Sequence, residues 1–228
     1  KISSKSESFK YIYNWSVPLR VIKQDKEGNL WMGTDKDGIY KLSSEIVTEL
    51  SINSTNPLAD ISTNYLYNSK VKNSISSSSI TCIAEDNEGG VWIGTNSGLN
   101  KYRKETDDFK HYFVKDGLPS NYITGIVIDG KNNLWISSKK GISFFDQQSV
   151  VFTNYGLVDG TGNIDFHRNS YTNSDDGNIY FGGPNGITKL NSVNIQYNDY
   201  KPNCVITNIK KTSYNDSVSE AFLSSTKN

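Results

Sequence analysis

Few residues in this chain carry the chemistry of an active centre, and those few are dispersed. His111 and His167 are the only histidines, and Cys82 and Cys204 the only cysteines. None stands at zinc-ligand spacing, so neither a metal nor another cofactor is expected. The cysteines lie in separate strand-like runs and are read as buried thiols rather than a disulfide framework. The aspartates that stand out, Asp25, Asp86 and Asp129, recur at one place in a repeated motif. Paired glycosidase carboxylates are not expected to repeat with a fold, so these acids are read as turn caps. The residues left as ligand-binding candidates are those outside the repeat: His167-Arg168 with Tyr171, the pair Lys139-Lys140, Tyr155, and Trp15 in the turn-like run Asn14-Trp15-Ser16-Val17-Pro18. Cations beside polar aromatics suit an acidic glycan. No residue is expected to be catalytic, and His111 reads as structural.

The elements that must position these side chains come from a repeat. Asp86 to Thr95 reads DNEGGVWIGT, followed by Gly98-Leu99; Asp25 to Thr34 reads DKEGNLWMGT, followed by Gly38-Ile39. A third copy runs from Asp129 to Ser138, followed by Gly141-Ile142, and a weaker fourth from Ser174 to Gly183, followed by Gly186-Ile187. The anchor aromatics Trp31, Trp92, Trp135 and Tyr180 recur at roughly 45-residue intervals apart from a longer first one, the signature of a propeller or solenoid. Each copy predicts a hairpin turn, in which Gly provides positive φ, and then a short apolar strand buried on both faces. Gly33, Gly94 and Gly182 follow the aromatic in that strand. A second strand pairs antiparallel after the next glycine. The aromatics are therefore expected in the core. Phe9 to Tyr13 reads as an outer strand orphaned from its blade. Leu19 to Ile22 is then the innermost strand of the first full blade, and His167-Arg168 falls in the innermost-strand region of the last. Residues 51–79 read as an Asn/Ser-rich insertion, in part a fourth strand near 65–67 and otherwise a mobile surface loop.

The 228 residues carry 24 Lys+Arg against 24 Asp+Glu. With no net field, neither nucleic acid nor an anionic membrane is an expected partner. No apolar run is long enough to span a bilayer. The chain begins at Lys1 with no leader visible, and is read as part of a longer precursor. The fold class is all-β: a propeller segment of about four four-stranded blades over 1–200. Residues 201–228 are read as a linker and the first strand of a following module.

Leu-Trp-Ile-Gly-Thr followed by Gly-Leu resembles the two-component regulator propeller repeat. Asp116-Gly117-Leu118-Pro119-Ser120-Asn121 matches the link between such repeats, and Tyr180-Phe181-Gly182-Gly183 resembles the terminal variant. Lys201 to Ile209 resembles the entry into the triple-tyrosine, immunoglobulin-like module. On roughly residues 9 to 210 the chain thus resembles the periplasmic sensor region of hybrid two-component histidine kinases of Bacteroidetes. The resemblance implies a signalling module rather than an enzyme, with an oligosaccharide ligand, the remaining blades of a larger, seven-bladed propeller, and a homodimeric receptor in the inner membrane. A propeller-type polysaccharide lyase or hydrolase, and a structural interaction module without a small ligand, are the alternatives. Four blades in an open arc are expected to leave bare apolar faces near Leu19 to Ile22 and on the last blade.

Overall fold

The computed structural model describes residues 17–50, 61–193, 209–211 and 219–221. The chain divides into two units at residues 194 and 195. In the second, β16 (Ile209–Lys211) and β17 (Ser219–Ala221) pair antiparallel. Phe9 to Tyr13, Trp15, Lys201 to Asn208 and Cys204 lie outside the described residues.

The first unit is built from one turn used repeatedly. The amide of Asp25 donates to the Asn29 carbonyl and that of Gly28 to the Asp25 carbonyl; Asp86 with Gly90 and Gly89 does the same, as does Asp129 with Asn133 and Asn132. The aspartate carboxylates cap these turns as expected. One oxygen accepts from the amides two and four residues on: Glu27 and Asn29, Glu88 and Gly90, Lys131 and Asn133. The turn needs one left-handed residue. Gly28 (φ 89°), Gly89 (φ 86°) and Gly177 (φ 79°) provide it in three copies; in the third it is Asn132 (φ 66°) and not Gly130, because Asn tolerates this region.

The other carboxylate oxygen points inward. Trp31, Trp92 and Trp135 each donate the indole N–H to the aspartate six residues earlier, at 2.8, 2.9 and 3.2 Å. Each tryptophan is 1% exposed. The indole could not be buried this deeply without a partner for its N–H. In the fourth copy both halves of the pair change together: Ser174 replaces the aspartate and Tyr180 the tryptophan.

Four antiparallel sheets follow in chain order. Blade 1 is β1 (Leu19–Gln24), β2 (Leu30–Thr34), β3 (Ile39–Leu42) and β4 (Thr63–Tyr65). Blade 2 is β5 (Ile80–Glu85), β6 (Val91–Thr95), β7 (Gly98–Arg103) and β8 (Asp108–Tyr112). Blade 3 is β9 (Ile123–Ile128), β10 (Leu134–Ser138), β11 (Gly141–Asp146) and β12 (Val151–Tyr155). Blade 4 shows three strands among the described residues: β13 (Tyr171–Asn173), β14 (Asn178–Gly183) and β15 (Gly186–Asn191). The first strands lie side by side, β1 on β5, β5 on β9 and β9 on β13. This is an all-β propeller arc, with the repeat aromatics on second strands.

Blades pack through the faces the repeat prescribes. Trp31 and Ile39 meet Ile80, Ile83 and Ile93 of the next blade; Cys82, Trp92 and Leu99 meet Ile123, Ile126 and Ile136. Glycine permits the approach of the inner strands. A Cβ on Gly33 would stand 2.5 Å from Ile80, and one on Gly94 2.8 Å from Ile123. In blade 3 the second strand has Ser137 there instead, and the small residue moves to its cross-strand partner Gly125, where a Cβ would come within 2.3 Å of the Tyr171 ring. Gly182 lies against Ser170 with more room. In blades 1 to 3 the second strand ends in a hydroxyl residue that locks the next turn: Thr34, Thr95 and Ser138 donate to the carbonyls of Gly38, Gly98 and Gly141. The amides of those glycines reach the loop entering the following blade, at Ser78, Asn121 and Ile164. Cys82 is fully buried, and burial pushes its thiol up to about 12, which makes it inert.

The structure changes three expectations. Tyr180, expected in the core, is only half-buried, and with Ile187, which is 77% exposed, it forms the bare face expected on the last blade; their counterparts in blades 1 to 3 are in the core. Both face the side on which a further blade would pack, and no described residue fills it. The insertion is not a mobile loop over residues 61–79. Ile75 is fully buried between blades 1 and 2, the Asn73 carbonyl accepts from the Phe109 amide, and Asn100 holds Ser76. His111 is structural, bonding the Ser74 carbonyl at 2.7 Å. Finally, the face of blade 1 near Leu19 is not bare. An unanticipated helix, α1 (Ser44–Leu50), lays Ile46 and Val47, with Ile61, over Met32, Tyr40 and Leu42. Only Ile22 stays largely exposed there. No helix among the described residues is long and apolar enough to cross a membrane.

Two tests follow from the turn–tryptophan pair. Trp92→Ala is expected to lower stability by about 3–5 kcal/mol, read from urea unfolding. Burial opposes ionisation of Asp86, but the Trp92 indole, the Gly90 and Glu88 amides and the Lys101 ammonium outweigh it and hold its carboxyl below the ordinary value. A lowered carboxyl contributes stability that is fully present above its unfolded pKa of about 4 and fades as pH falls through the lower folded value. The acid limb of a Tm-against-pH curve is therefore expected to be shallower in Asp86→Asn than in the parent chain.

Candidate functional site

In a four-stranded antiparallel blade, the start of the first strand and the end of the second lie at the same end. The registers Leu19 opposite Thr34 and Ile123 opposite Ser138 place them so here. The loops that leave these ends carry the side chains that depart most from the repeat. Asp35 follows β2, Tyr122 precedes β9, Lys139 follows β10, and Asp165, His167 and Arg168 lie in the loop before β13.

All of these side chains but His167 form one polar cluster drawn from blades 1, 3 and 4. Arg168 Nη1 bonds Asp35 Oδ1 at 3.1 Å, linking residues 133 apart in sequence. Arg20, at the start of β1, holds the other oxygen of Asp35 at 3.2 Å. Arg168 Nε donates to the Tyr122 hydroxyl at 2.7 Å, and Nη2 donates to the same oxygen. Lys139 Nζ meets Asp165 Oδ1 at 2.5 Å and lies 5.8 Å from the centre of the Tyr122 ring. The hydrogen bond from Arg168, with support from Arg20 and against the opposing effect of burial, holds the Asp35 carboxyl below its ordinary value.

The loop that presents Arg168 is fixed by its neighbours. Phe166 is fully buried, 6.0 Å from Phe181 and edge-on to it, and its amide reaches the Ser138 carbonyl. The His167 amide bonds Gly182 and that of Asn169 bonds Thr124, with Asn169 in the left-handed region (φ 57°). Asp165 and Arg168 thus flank an anchored residue on a rigid bend. The innermost strand of blade 4 starts only at Tyr171, so His167-Arg168 is loop rather than strand.

Of the candidates named from sequence, Arg168 and Lys139 come together, through Tyr122. Lys140 and His167 are exposed beside them without entering the cluster's bonds. Tyr155 and Tyr171 do not belong to it. Tyr155 stacks on Trp135 at 5.9 Å. Tyr171 packs into the core on Gly125, and burial raises its phenol pKa. Arg20, Asp35, Tyr122 and Asp165 escaped the sequence reading. The position after the repeat's Thr or Ser held the clue for one of them: it is Asp35, Asn96, Lys139 and Pro184 in successive copies, a charge that varies where the scaffold does not.

The cluster sets three cations and a phenol against two carboxylates. Such a group can recognise a polar or charged ligand through directed N–H donors and an aromatic edge. No set of His, Cys, Asp and Glu among the described residues is grouped to hold a metal. A separate concavity of about 570 Å³ lies between the 67–76 segment and β8, lined by Tyr67, Asn73, Ser74, His111 and Phe113 among others. Its Asn73, Ser74 and His111 are engaged in fastening the insertion to blade 2.

Fold and repeats together define the blades of a β-propeller. Segments 16–36, 74–97 and 117–140 match the family described as two component regulator propeller. Among solved structures, it is similar to the extracellular domain of the putative hybrid two-component system BT3049 from B. thetaiotaomicron, at 24% identity and a TM-score of 0.63 over 90% of this chain. It is also similar to PorZ of the type-IX secretion system of Porphyromonas gingivalis, at 15% identity and a TM-score of 0.54 over 76% of this chain. The chain covers only 26% of each of those two proteins. A third similar structure is YCF48 from Cyanidioschyzon merolae, at 14% identity and a TM-score of 0.50, with 78% of this chain and 52% of that one covered. None of the curated proteins matches the chain.

Because the Arg168–Asp35 pair is about a third exposed, it is expected to add little to the fold. Arg168→Gln should lower stability by no more than about 1 kcal/mol in urea unfolding; a larger loss would make the pair a structural strut rather than a site.

Proposed function

We propose that this chain is a ligand-sensing segment of the periplasmic region of a hybrid two-component sensor histidine kinase, that it binds an oligosaccharide, and that it is not itself an enzyme. The observation that carries this reading is the gathering of Asp35, Tyr122, Lys139, Asp165 and Arg168, on non-repeated loop positions, with Arg20 at the start of β1, at one end of a repeat-built scaffold. A rigid frame with chemistry confined to its loops is what a binding module requires. The matched family and the extracellular domain of BT3049 support placing it in a sensor.

In this reading the half-exposed face of Tyr180 and Ile187 receives further blades of the same receptor, completing a ring of the family's usual seven. Residues 201–228 begin an immunoglobulin-like module that passes the signal toward an inner-membrane helix. Two receptor chains pair, and ligand occupancy alters how they pack. Calorimetric titration of the chain with a panel of oligosaccharides is expected to give saturable binding to at least one, weakened by Lys139→Ala. Release of new reducing ends from a polysaccharide, abolished in Arg168→Gln, would instead place the chain among propeller lyases or hydrolases.

A further inference from the structure

The bonding of one guanidinium points to the ligand's chemistry. An arginine offers two flat edges with paired N–H donors, and each suits the two oxygens of a carboxylate, sulfate or phosphate. In Arg168 the Nε/Nη2 edge is spent on a single neutral atom, the Tyr122 hydroxyl. A phenol oxygen is a weak acceptor for two donors from a cation, and an anion would replace it with two charge-assisted bonds. Only Nη1 is engaged by a carboxylate, that of Asp35. Asp35 in turn has a second partner in Arg20. It can leave Arg168 without being stranded, so an arriving anion would not have to share the guanidinium with a competing charge.

The surroundings favour the same class. Lys139 is also close to the Tyr122 ring, and the group as a whole carries one positive charge more than it neutralises: Arg20, Lys139 and Arg168 against Asp35 and Asp165. Exposed Lys140 and His167 border it. The Tyr122 ring, with Arg168 5.2 Å and Lys139 5.8 Å from its centre, would remain beside the ligand as an apolar surface of the kind that a sugar ring packs against.

Resting on the oligosaccharide-sensing reading above, we infer that the site takes an anionic saccharide, whose carboxylate or sulfate occupies the Nε/Nη2 edge of Arg168 and displaces the Tyr122 hydroxyl. Binding draws Arg168 away from Asp35. The side-chain link between the loops of blades 1 and 4 is thereby exchanged for a link through the ligand. Asp35 is a gate in this scheme, and its charge opposes binding.

The test is isothermal titration of the full chain with trigalacturonate, with a 4-sulfated N-acetylgalactosamine disaccharide, with neutral cellotriose and with inorganic sulfate. The parent chain is compared with Arg168→Gln, Asp35→Asn and Tyr122→Phe, each first shown to melt cooperatively. One of the two charged sugars is expected to bind, and which one does identifies the anionic group. Arg168→Gln is expected to weaken it about tenfold or more. Asp35→Asn and Tyr122→Phe should each tighten it several-fold, which loss of a merely structural contact would not do. Cellotriose binding that is indifferent to Arg168→Gln would overturn this inference while leaving the sensing reading intact. Inorganic sulfate binding as tightly as either charged sugar would reduce the site to a simple anion site and overturn the saccharide assignment. No binding of any saccharide would overturn both.

Discussion

A single carboxylate holds each of the first three repeats together. Its outer oxygen closes the turn by accepting two backbone amides, and its inner oxygen receives the indole of a tryptophan six residues later. The turn and the core are thus fixed by the same group. A large aromatic can be buried between blades only if its N–H is satisfied, and the aspartate can be buried beside it only if its charge is surrounded by donors. Each condition answers the other. The repeat-borne lysine on the third strand adds to this in blade 2, where Lys101 stands 3.5 Å from Asp86 and 4.8 Å from the Trp92 ring. In blade 3 that place is taken by Phe144, 4.9 Å from Trp135, so the carboxylate–indole bond persists where the cation does not.

The ends of the arc are treated differently. At blade 1 the cover comes from the helix before the insertion and from the insertion itself: α1 and Ile61 bury Met32 and Leu42 where a preceding blade would otherwise be needed. At blade 4 the matching face presents Tyr180 and Ile187 to solvent. Repeat arrays are stable where each unit is covered by a neighbour or a cap. Among the described residues the arc therefore has a sealed beginning and an open end, and the long first interval in the sequence is the piece that seals it. The same insertion continues as the 66–79 segment, which fills the seam between blades 1 and 2 with Ile75.

Freedom to vary chemistry comes from this division of labour. Because backbone bonds and glycine contacts fasten each blade to the next, the polar side chains of the loops that leave the strand ends are not needed to hold the scaffold. They carry Asp35, Tyr122, Lys139 and Arg168, and they bring blades 1, 3 and 4 together through polar contacts that are partly open to water. Ion pairs so exposed contribute little to stability. Their identity is consequently open to selection by a ligand, which the buried Asp86–Trp92 pair is not.

The chain's periodicity was enough to establish the propeller class, the second-strand position of Trp31, Trp92 and Trp135, and the capping role of the turn aspartates, because each is a local property: a turn, a burial pattern and a short-range bond within about ten residues. The inward use of the same carboxylate could have been read from the fixed Asp-to-Trp spacing, since that spacing is itself local. The exposure of Tyr180 could not, because it depends on whether another blade lies beside it. Nor could the fate of residues 61–79 or the helix at Ser44–Leu50, whose polar composition resembles a loop until the apolar face they cover is known. The site was legible only in part for the same reason. Arg168 and Lys139 stood out as charges outside the repeat, but Asp35 is joined to Arg168 across the sequence by the arc's curvature alone. Sequence determined each blade; the curvature decided which loops meet, because that distance is set by how the faces of successive sheets pack and by no residue pair near in the chain.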